Sequence, residues 1–208
     1  MAAGFSAYPG TRDFYPEEMR LRQWMFDSQR SVCEAYGYEP YGAPLLELID
    51  LYRQKSSEEI VNEQLYSFTD RGERDVAIRP EMTPTVARMV VARSARLLRP
   101  VRWYSIANFM RYERPGRGRL REFYQLNVDL LGASGLLADA EILSLSAALM
   151  KSYGAKKDQF VIRINHRSLF DAFFADLSLD RKLLGRLLDK REKLKADAFA
   201  EELRALGL

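Results

Sequence analysis

Residues 121–130 alternate in character at every step, and this pattern constrains the fold more than any other feature of the chain. Glu122, Tyr124, Leu126, Val128 and Leu130 fall on one side, and Arg121, Phe123, Gln125, Asn127 and Asp129 on the other. A period of two is the signature of a strand, whose successive side chains point to opposite faces. Val101 to Tyr112 reads as a preceding strand, and Glu113 to Leu120 is a loop holding Pro115, Gly116 and Gly118. The three pieces together predict an antiparallel hairpin. Its first face is mostly apolar and can lie on a core. Its second face carries two amides and a carboxylate beside a phenylalanine, which reads as the lining of a pocket. A polar row facing water is the competing reading of that strand alone.

The rest of the chain supplies elements to cover such a hairpin. Residues 1–16 read as an irregular arm punctuated by Pro9-Gly10 and Pro16. From Glu17, Leu21, Trp24/Met25, Val32 and Ala35/Tyr36 recur at helical spacing up to Gly37, a good helix stop. Tyr38 to Glu47 is extended, and Pro40 and Pro44 place it at an edge or end of a sheet. Residues 48–63 carry only a weak pattern. Gln64–Phe68 and Val76–Arg79 read as short strands around an Asp70-Arg71-Gly72 turn. Thr83 as N-cap and Pro84 at the first helical position start a helix expected to run to Arg99, with Pro100 stopping it. Ala138–Tyr153 is a helix buried through Ile142, Leu145 and Leu149, and Gln159–Asn165 reads as a short strand. Helical, mixed-charge sequence fills the chain from Ser168. The fold class expected is α+β on an antiparallel sheet.

Composition excludes several classes. The 208 residues are 47% hydrophobic and 29% charged, too apolar for a disordered chain. No run approaches the roughly 18 apolar residues of a spanning helix. One cysteine, Cys33, excludes an internal disulfide framework and a Cys-rich zinc site, and one histidine, His166, leaves no His cluster for a metal. Residues 1–10 lack the pattern of a signal peptide, so a reducing cytoplasmic setting is expected. Cys33 reads as a semi-buried helix residue and His166 as structural.

The candidate chemistry is arginine-based. Arginine supplies 24 of the 32 basic residues. Genomic base composition explains most of that excess, so placement matters more than number. Arg111, Arg114, Arg117, Arg119 and Arg121 lie on or beside the hairpin loop, a field able to hold a polyphosphate by charge-assisted bidentate bonds. A solvated basic loop or a generic nucleic-acid contact has the same composition. Arg79-Pro80-Glu81-Met82-Thr83-Pro84-Thr85 forms a strand-to-helix junction. Capping accounts for Thr83 but requires neither Arg79 nor Glu81.

These residues carry a resemblance. Phe109-Met110-Arg111-Tyr112-Glu113-Arg114-Pro115, continued by Gly118 to Asp129, closely resembles motif 2 of class II aminoacyl-tRNA synthetases in its histidyl-tRNA synthetase form. Gly10-Thr11-Arg12-Asp13-Phe14 is similar to that family's N-terminal arm. Tyr36-Gly37-Tyr38 followed by Pro44-Leu45-Leu46-Glu47 resembles motif 1 and its proline, and Arg79 to Thr83 resembles the amino-acid-binding turn. Arg163-Ile164-Asn165-His166-Arg167 is similar to a strand closing this half of the core.

The resemblance implies an incomplete class II catalytic core over 1–167 and the start of a helical insertion domain over 168–208. It implies ATP, with Mg²⁺, held by Arg111, Glu113, Arg119 and Phe123, with Arg111 also catalytic. It implies L-histidine held by Glu81, Met82, Thr83, Arg111, Gln125 and Asp129, and transfer to tRNA(His). A homodimer through motif 1, no membrane contact and no metal site built by the protein complete the expectation. Asp129 stands where some members carry glutamate, and either carboxylate accepts an imidazole N–H. The family's Arg-Gly-Leu-Asp-Tyr-Tyr type segment, motif 3 and anticodon-binding domain have no counterpart in 131–208, so the chain reads as a fragment, inactive alone. Two further functions share parts of the pattern. One is a regulatory paralogue that partners ATP phosphoribosyltransferase and senses histidine. The other is a non-catalytic RNA-binding or dimerisation module.

Overall fold

The computed structural model describes residues 6–56, 60–164, 166, 172, 181–189, 191 and 194–205. The chain forms two compact units, Met1–Phe160 and Val161–Leu208.

The first unit is built on the expected hairpin. Strands β5 (Val101–Met110) and β6 (Glu122–Leu131) pair antiparallel over their full length, with Val101 opposite Leu131 and Met110 opposite Glu122. Strand β1 (Glu39–Pro40) adds to the other edge of β5, Glu39 opposite Trp103, and runs parallel to it. The sheet is therefore mixed rather than wholly antiparallel. Pro40 lies in this edge strand, where a missing N–H is tolerated. A second sheet, ordered β2-β4-β3, joins β2 (Leu46–Leu48), β4 (Asp75–Ile78) and β3 (Tyr66–Thr69), all antiparallel.

Helices α1 (Pro16–Ala35) and α4 (Leu136–Ser152) are the long ones. Gly37 follows α1 with φ +79°, the left-handed conformation that ends a helix without steric cost to glycine. Cys33, Tyr38, Tyr104 and Leu145 form a fully buried cluster, with Leu126, Val128 and Leu130 of β6 packed against it. Cys33 is thus wholly rather than partly buried, and burial pushes its thiol up to about 11, so it is an inert core residue. Polar bonds tie the same layer together. Arg102 makes a two-pronged contact to Glu141, both bonds 2.8 Å, and Glu141 also accepts from the Tyr38 hydroxyl at 2.8 Å. Leu21 and Trp24 of the predicted α1 stripe lie outside this core, 61% and 48% exposed.

Two short helices flank the second sheet. Helix α2 (Ile49–Lys55) precedes a π-helical turn, Ile60–Gln64, in the region of weak pattern. Helix α3 (Thr83–Arg93) starts one residue earlier than expected, with Met82 as N-cap and no side-chain cap bond. It ends at Arg93 rather than Arg99. Ser94 N–H bonds back to Val91 and Arg96 N–H to Arg93, tightening the last turn. Leu98 is 91% exposed, so no packing surface rewards a longer helix.

In the second unit, α5 (Arg181–Asp189) buries Leu184 and Leu187, and α6 (Ala196–Ala205) follows. No strand forms over residues 159–164 and 166. Val161 and Ile164 are 79% and 69% exposed, and His166 is exposed rather than packed. Asn165, Arg167 and the predicted helical sequence at 168–171 and 173–180 lie outside the described residues. No helix among the described residues is long and apolar enough to cross a membrane.

Candidate functional site

The face of β6 turned away from the α1–α4 core bears Phe123, Gln125, Asn127 and Asp129. The register sets Phe109, Ala107, Ser105 and Trp103 of β5 opposite them. At one end the floor is apolar. Met82, Ala107 and Phe109 form a buried cluster joined by Phe123, Tyr41 and Ala43, and the Phe109 and Phe123 ring centroids are 5.8 Å apart. Met82 thus sits in the wall, as the last residue before α3.

The other end is polar and only partly satisfied. The Tyr41 hydroxyl donates to Asp129 Oδ2 at 2.9 Å. Burial raises the Asp129 carboxyl above its ordinary value, against the lowering effect of that bond, and burial also raises the Tyr41 hydroxyl. Gln125 Nε2 donates to Asn127 Oδ1 at 3.0 Å, while the buried Asn127 Nδ2 has no hydrogen-bond partner. A buried donor left unpaired costs about 1–3 kcal/mol, so it marks a place where an acceptor can be accommodated. Tyr41 and Asn127 are site-face residues that the sequence did not single out as ligands. Asn127 was legible from the alternation. Tyr41 was not, because it reaches this face through the parallel β1–β5 pairing, where its N–H bonds to the Tyr104 carbonyl at 2.9 Å.

The Arg79–Thr83 turn is locked from below. Arg79 is buried and donates to the Asn108 carbonyl at 3.0 Å and the Ala43 carbonyl at 2.8 Å. Burial lowers its guanidinium, and the carbonyl oxygens compensate for lost hydration. Arg79 is therefore a bolt between segments rather than a ligand. Arg111 closes the turn from above, donating through Nε to the Pro80 carbonyl at 2.9 Å, with its guanidinium 5.3 Å from the Phe123 ring centroid. Glu81 instead accepts a short hydrogen bond from the Ser56 hydroxyl, and Thr83 is exposed in the first turn of α3.

Of the five hairpin arginines, two converge. The Glu113 carboxylate lies 3.3 Å from Arg119 Nη1 and 3.9 Å from Arg111 Nη1. Arg114 and Arg117 are exposed. Arg121 turns to the base of the hairpin, where Nε donates to the Glu113 carbonyl at 3.1 Å. The structure thus brings Arg111, Glu113, Arg119 and Phe123 to one end of the strand and sets Gln125 and Asp129 further along it. Glu81 and Thr83 sit on the adjoining turn. Such an arrangement can hold an anion on paired guanidinium groups beside a flat ring, with polar recognition further along the strand. Among the described residues no group of three or more acidic, His or Cys side chains could hold a metal ion.

The family model for histidyl-tRNA synthetase matches residues 10–207. The histidine–tRNA ligase of Leptospira biflexa is 51% identical over 196 residues, covering 92% of this chain and 45% of the relative. That of Halobacterium salinarum is 46% identical over 201 residues, covering 96% and 46%. The chain therefore spans about half the length of the curated relatives it matches. Among solved structures, an ATP phosphoribosyltransferase regulatory subunit/histidyl-tRNA synthetase from Bacillus halodurans C aligns with TM-score 0.83 at 25% identity, covering 98% of this chain and 52% of that one. Histidyl-tRNA synthetase from Nostoc sp. PCC 7120 aligns with TM-score 0.77 at 24% identity, covering 96% and 46%. With a family match over almost its whole length and relatives near half identity, the chain belongs to the histidyl-tRNA synthetase family.

Proposed function

We propose that this chain serves histidine–tRNA ligation in the cytoplasm, binding L-histidine and ATP for conversion to histidyl-adenylate and transfer of histidine to tRNA(His). The observation that carries the reading is Arg111. Its guanidinium is anchored on the Pro80 carbonyl, within reach of Glu113 and beside Phe123, where the turn and the hairpin meet.

In this reading the adenine lies on Phe123. Glu113 accepts from its amino group or braces the two arginines, and Arg119 meets the outer phosphates. Arg111 contacts the α-phosphate and the incoming carboxylate together. Glu81, Thr83 and Gln125 receive the α-ammonium, Met82 walls the pocket, and Asp129 accepts the imidazole N–H with Tyr41 fixing its other oxygen. A histidine carboxylate oxygen bonds to the α-phosphorus, and the bond to the bridging oxygen breaks, releasing pyrophosphate. A hydroxyl at the tRNA 3′ end then attacks the carbonyl carbon of the adenylate, forming the ester as the acyl–phosphate bond breaks, and AMP departs with the proton lost by the hydroxyl taken up by its phosphate or by solvent. Mg²⁺ travels with the ATP phosphates and offsets their charge. Alignment and charge neutralisation supply the rate in the first step, so no cysteine, serine or histidine nucleophile is required.

A homodimer through α1 and the following segment fits the exposed Leu21 and Trp24 on that helix. The kinship with the Bacillus halodurans protein, whose name includes a regulatory subunit, supports a second reading as a histidine sensor. The set of Arg111, Glu113, Arg119 and Phe123 favours the ligase, because a sensor need not hold ATP.

The test is histidine-dependent ATP–pyrophosphate exchange by the full-length gene product, run beside this 208-residue chain. Exchange by the former and near-background exchange by the latter is the expected result. Histidine binding by the full-length product without exchange overturns the ligase in favour of the sensor. Salt-sensitive tRNA binding with no affinity for ATP or histidine overturns both in favour of an RNA-binding module.

A further inference from the structure

Arg121 does none of the work proposed for its neighbours, yet it is the most heavily anchored arginine of the hairpin. Its backbone N–H donates to the Gly10 carbonyl at 2.7 Å, and its carbonyl accepts from Arg111 N–H at 2.8 Å. Its side chain donates through Nε to the Glu113 carbonyl at 3.1 Å and through Nη1 to the Pro9 carbonyl at 3.2 Å. The guanidinium lies 4.1 Å from the centroid of the Tyr112 ring.

The arm is shaped for this contact. Thr11 bonds back to the Tyr8 carbonyl through both N–H, at 2.9 Å, and hydroxyl, at 2.8 Å, which closes a tight turn. Gly10 sits in that turn at φ +87°, and a Cβ there would lie 2.6 Å from Arg121 Cγ. Only glycine satisfies both the backbone conformation and the close approach.

We propose that the Tyr8–Gly10 turn and Arg121 form a clamp that positions Glu113, and through it Arg111 and Arg119, for nucleotide binding. Arg121 is a positioning residue: it fixes the Glu113 backbone from behind, while the Glu113 carboxylate faces the two arginines. The N-terminal arm is therefore a working part of the nucleotide site. This assignment rests on the reading of that site as an ATP site.

The test combines Gly10→Ala, Arg121→Lys and the double variant in the full-length gene product. Arg121→Lys keeps the charge and loses the fork. Each single variant is expected to raise KM for ATP on the order of 10- to 100-fold, as misplacement of a positioned group does, and KM for histidine by a smaller factor, because Arg111 alone of the histidine-binding set depends on the clamp. The double variant is expected to be no worse than the poorer single one, because both break the same clamp. Fully additive losses, or an unchanged KM for ATP in either single variant, overturn the clamp. Hydrogen exchange of the 111–121 amides in this chain reads the clamp without any nucleotide. Gly10→Ala should speed exchange there and leave the β5–β6 ladder protected, whereas unchanged exchange overturns the clamp. A parent protein that binds no ATP but shows the faster exchange in Gly10→Ala retains the mechanical coupling and overturns only the ATP reading.

Discussion

The two faces of strand β6 share a backbone and differ in how far their side chains are satisfied. On the α1–α4 side, Leu126, Val128 and Leu130 pack against Cys33, Tyr38, Tyr104 and Leu145. Several polar groups of that layer are matched, Arg102 and Tyr38 with Glu141, and the Tyr104 hydroxyl with Glu34 at 2.9 Å, while Gln29 Oε1 of α1 is buried without a partner. On the opposite side Asp129 is half-buried with one hydroxyl donor, and Asn127 Nδ2 has none. A face selected for stability alone would replace these groups with apolar ones of similar size. The contrast is that the first face packs the core of the fold, while the second, the face of the proposed site, keeps a carboxylate and an unpaired amide among its partly buried groups.

Substitutions on each face should therefore separate activity from stability. The largest effect is expected on the site face. Arg111→Ala in the full-length gene product should lower ATP–pyrophosphate exchange by about 10³-fold, comparable to losing a principal charge-stabilising donor. The far-UV spectrum and melting curve should stay near the parent's, and near-normal exchange would mean the phosphate role belongs to another residue. On the packing face, Leu145→Ala should cost about 2–5 kcal/mol in chemical denaturation, since the residue is fully buried. Nucleotide affinity measured well below the melting range should not change. A large affinity loss there would dissolve the division between the faces.

Two smaller effects concern charge. Because burial raises the Asp129 carboxyl, its ionised form disfavours the folded state. The stability linked to its protonation is present below the unfolded value, about 3.9, and is lost as pH rises through the higher folded value. Asp129→Asn should thus melt at or above the parent temperature at pH 7 while weakening histidine binding. A lower melting temperature would show that the carboxylate supports the fold. Glu141 behaves oppositely. Its bonds to Arg102 hold its carboxyl down at about 2, from an ordinary 4.5. Its contribution is present above about 4.5 and fades as pH falls toward about 2. Glu141→Gln should flatten that part of the melting-temperature profile by a few degrees at most, because the pair is partly exposed. An unchanged profile would show that the pair contributes nothing measurable.

Much of this was legible in the sequence, for local reasons. The hairpin, the separation of its faces, the Asp70–Gly72 turn and the glycine end of α1 each follow from a few neighbouring residues. The readings that failed depended on distant partners. Thr83 lies inside α3 because Met82, buried against Ala107 and Phe109, takes the cap position. The continuation to Arg99 did not form, since helical periodicity without a surface to pack against does not sustain a helix. Ile162 and Ile164 stand two apart, as on one face of a strand, yet both are exposed.

By itself, the sequence determined the alternating strand, the arginine-bearing loop and the strand-to-helix turn, and with them the family and the chemistry its members share. Those features are encoded by residue type at fixed short spacing, which backbone geometry converts directly into shared faces. Only the tertiary structure decided which arginines meet and what supports them. Arg111 and Arg119 converge on Glu113, Arg121 turns back to the Gly10 arm, and Tyr41 arrives beside Asp129 across a parallel pairing. All five arginines are alike in sequence. Their roles diverge because each is fixed by acceptors and rings that long-range packing brings to it.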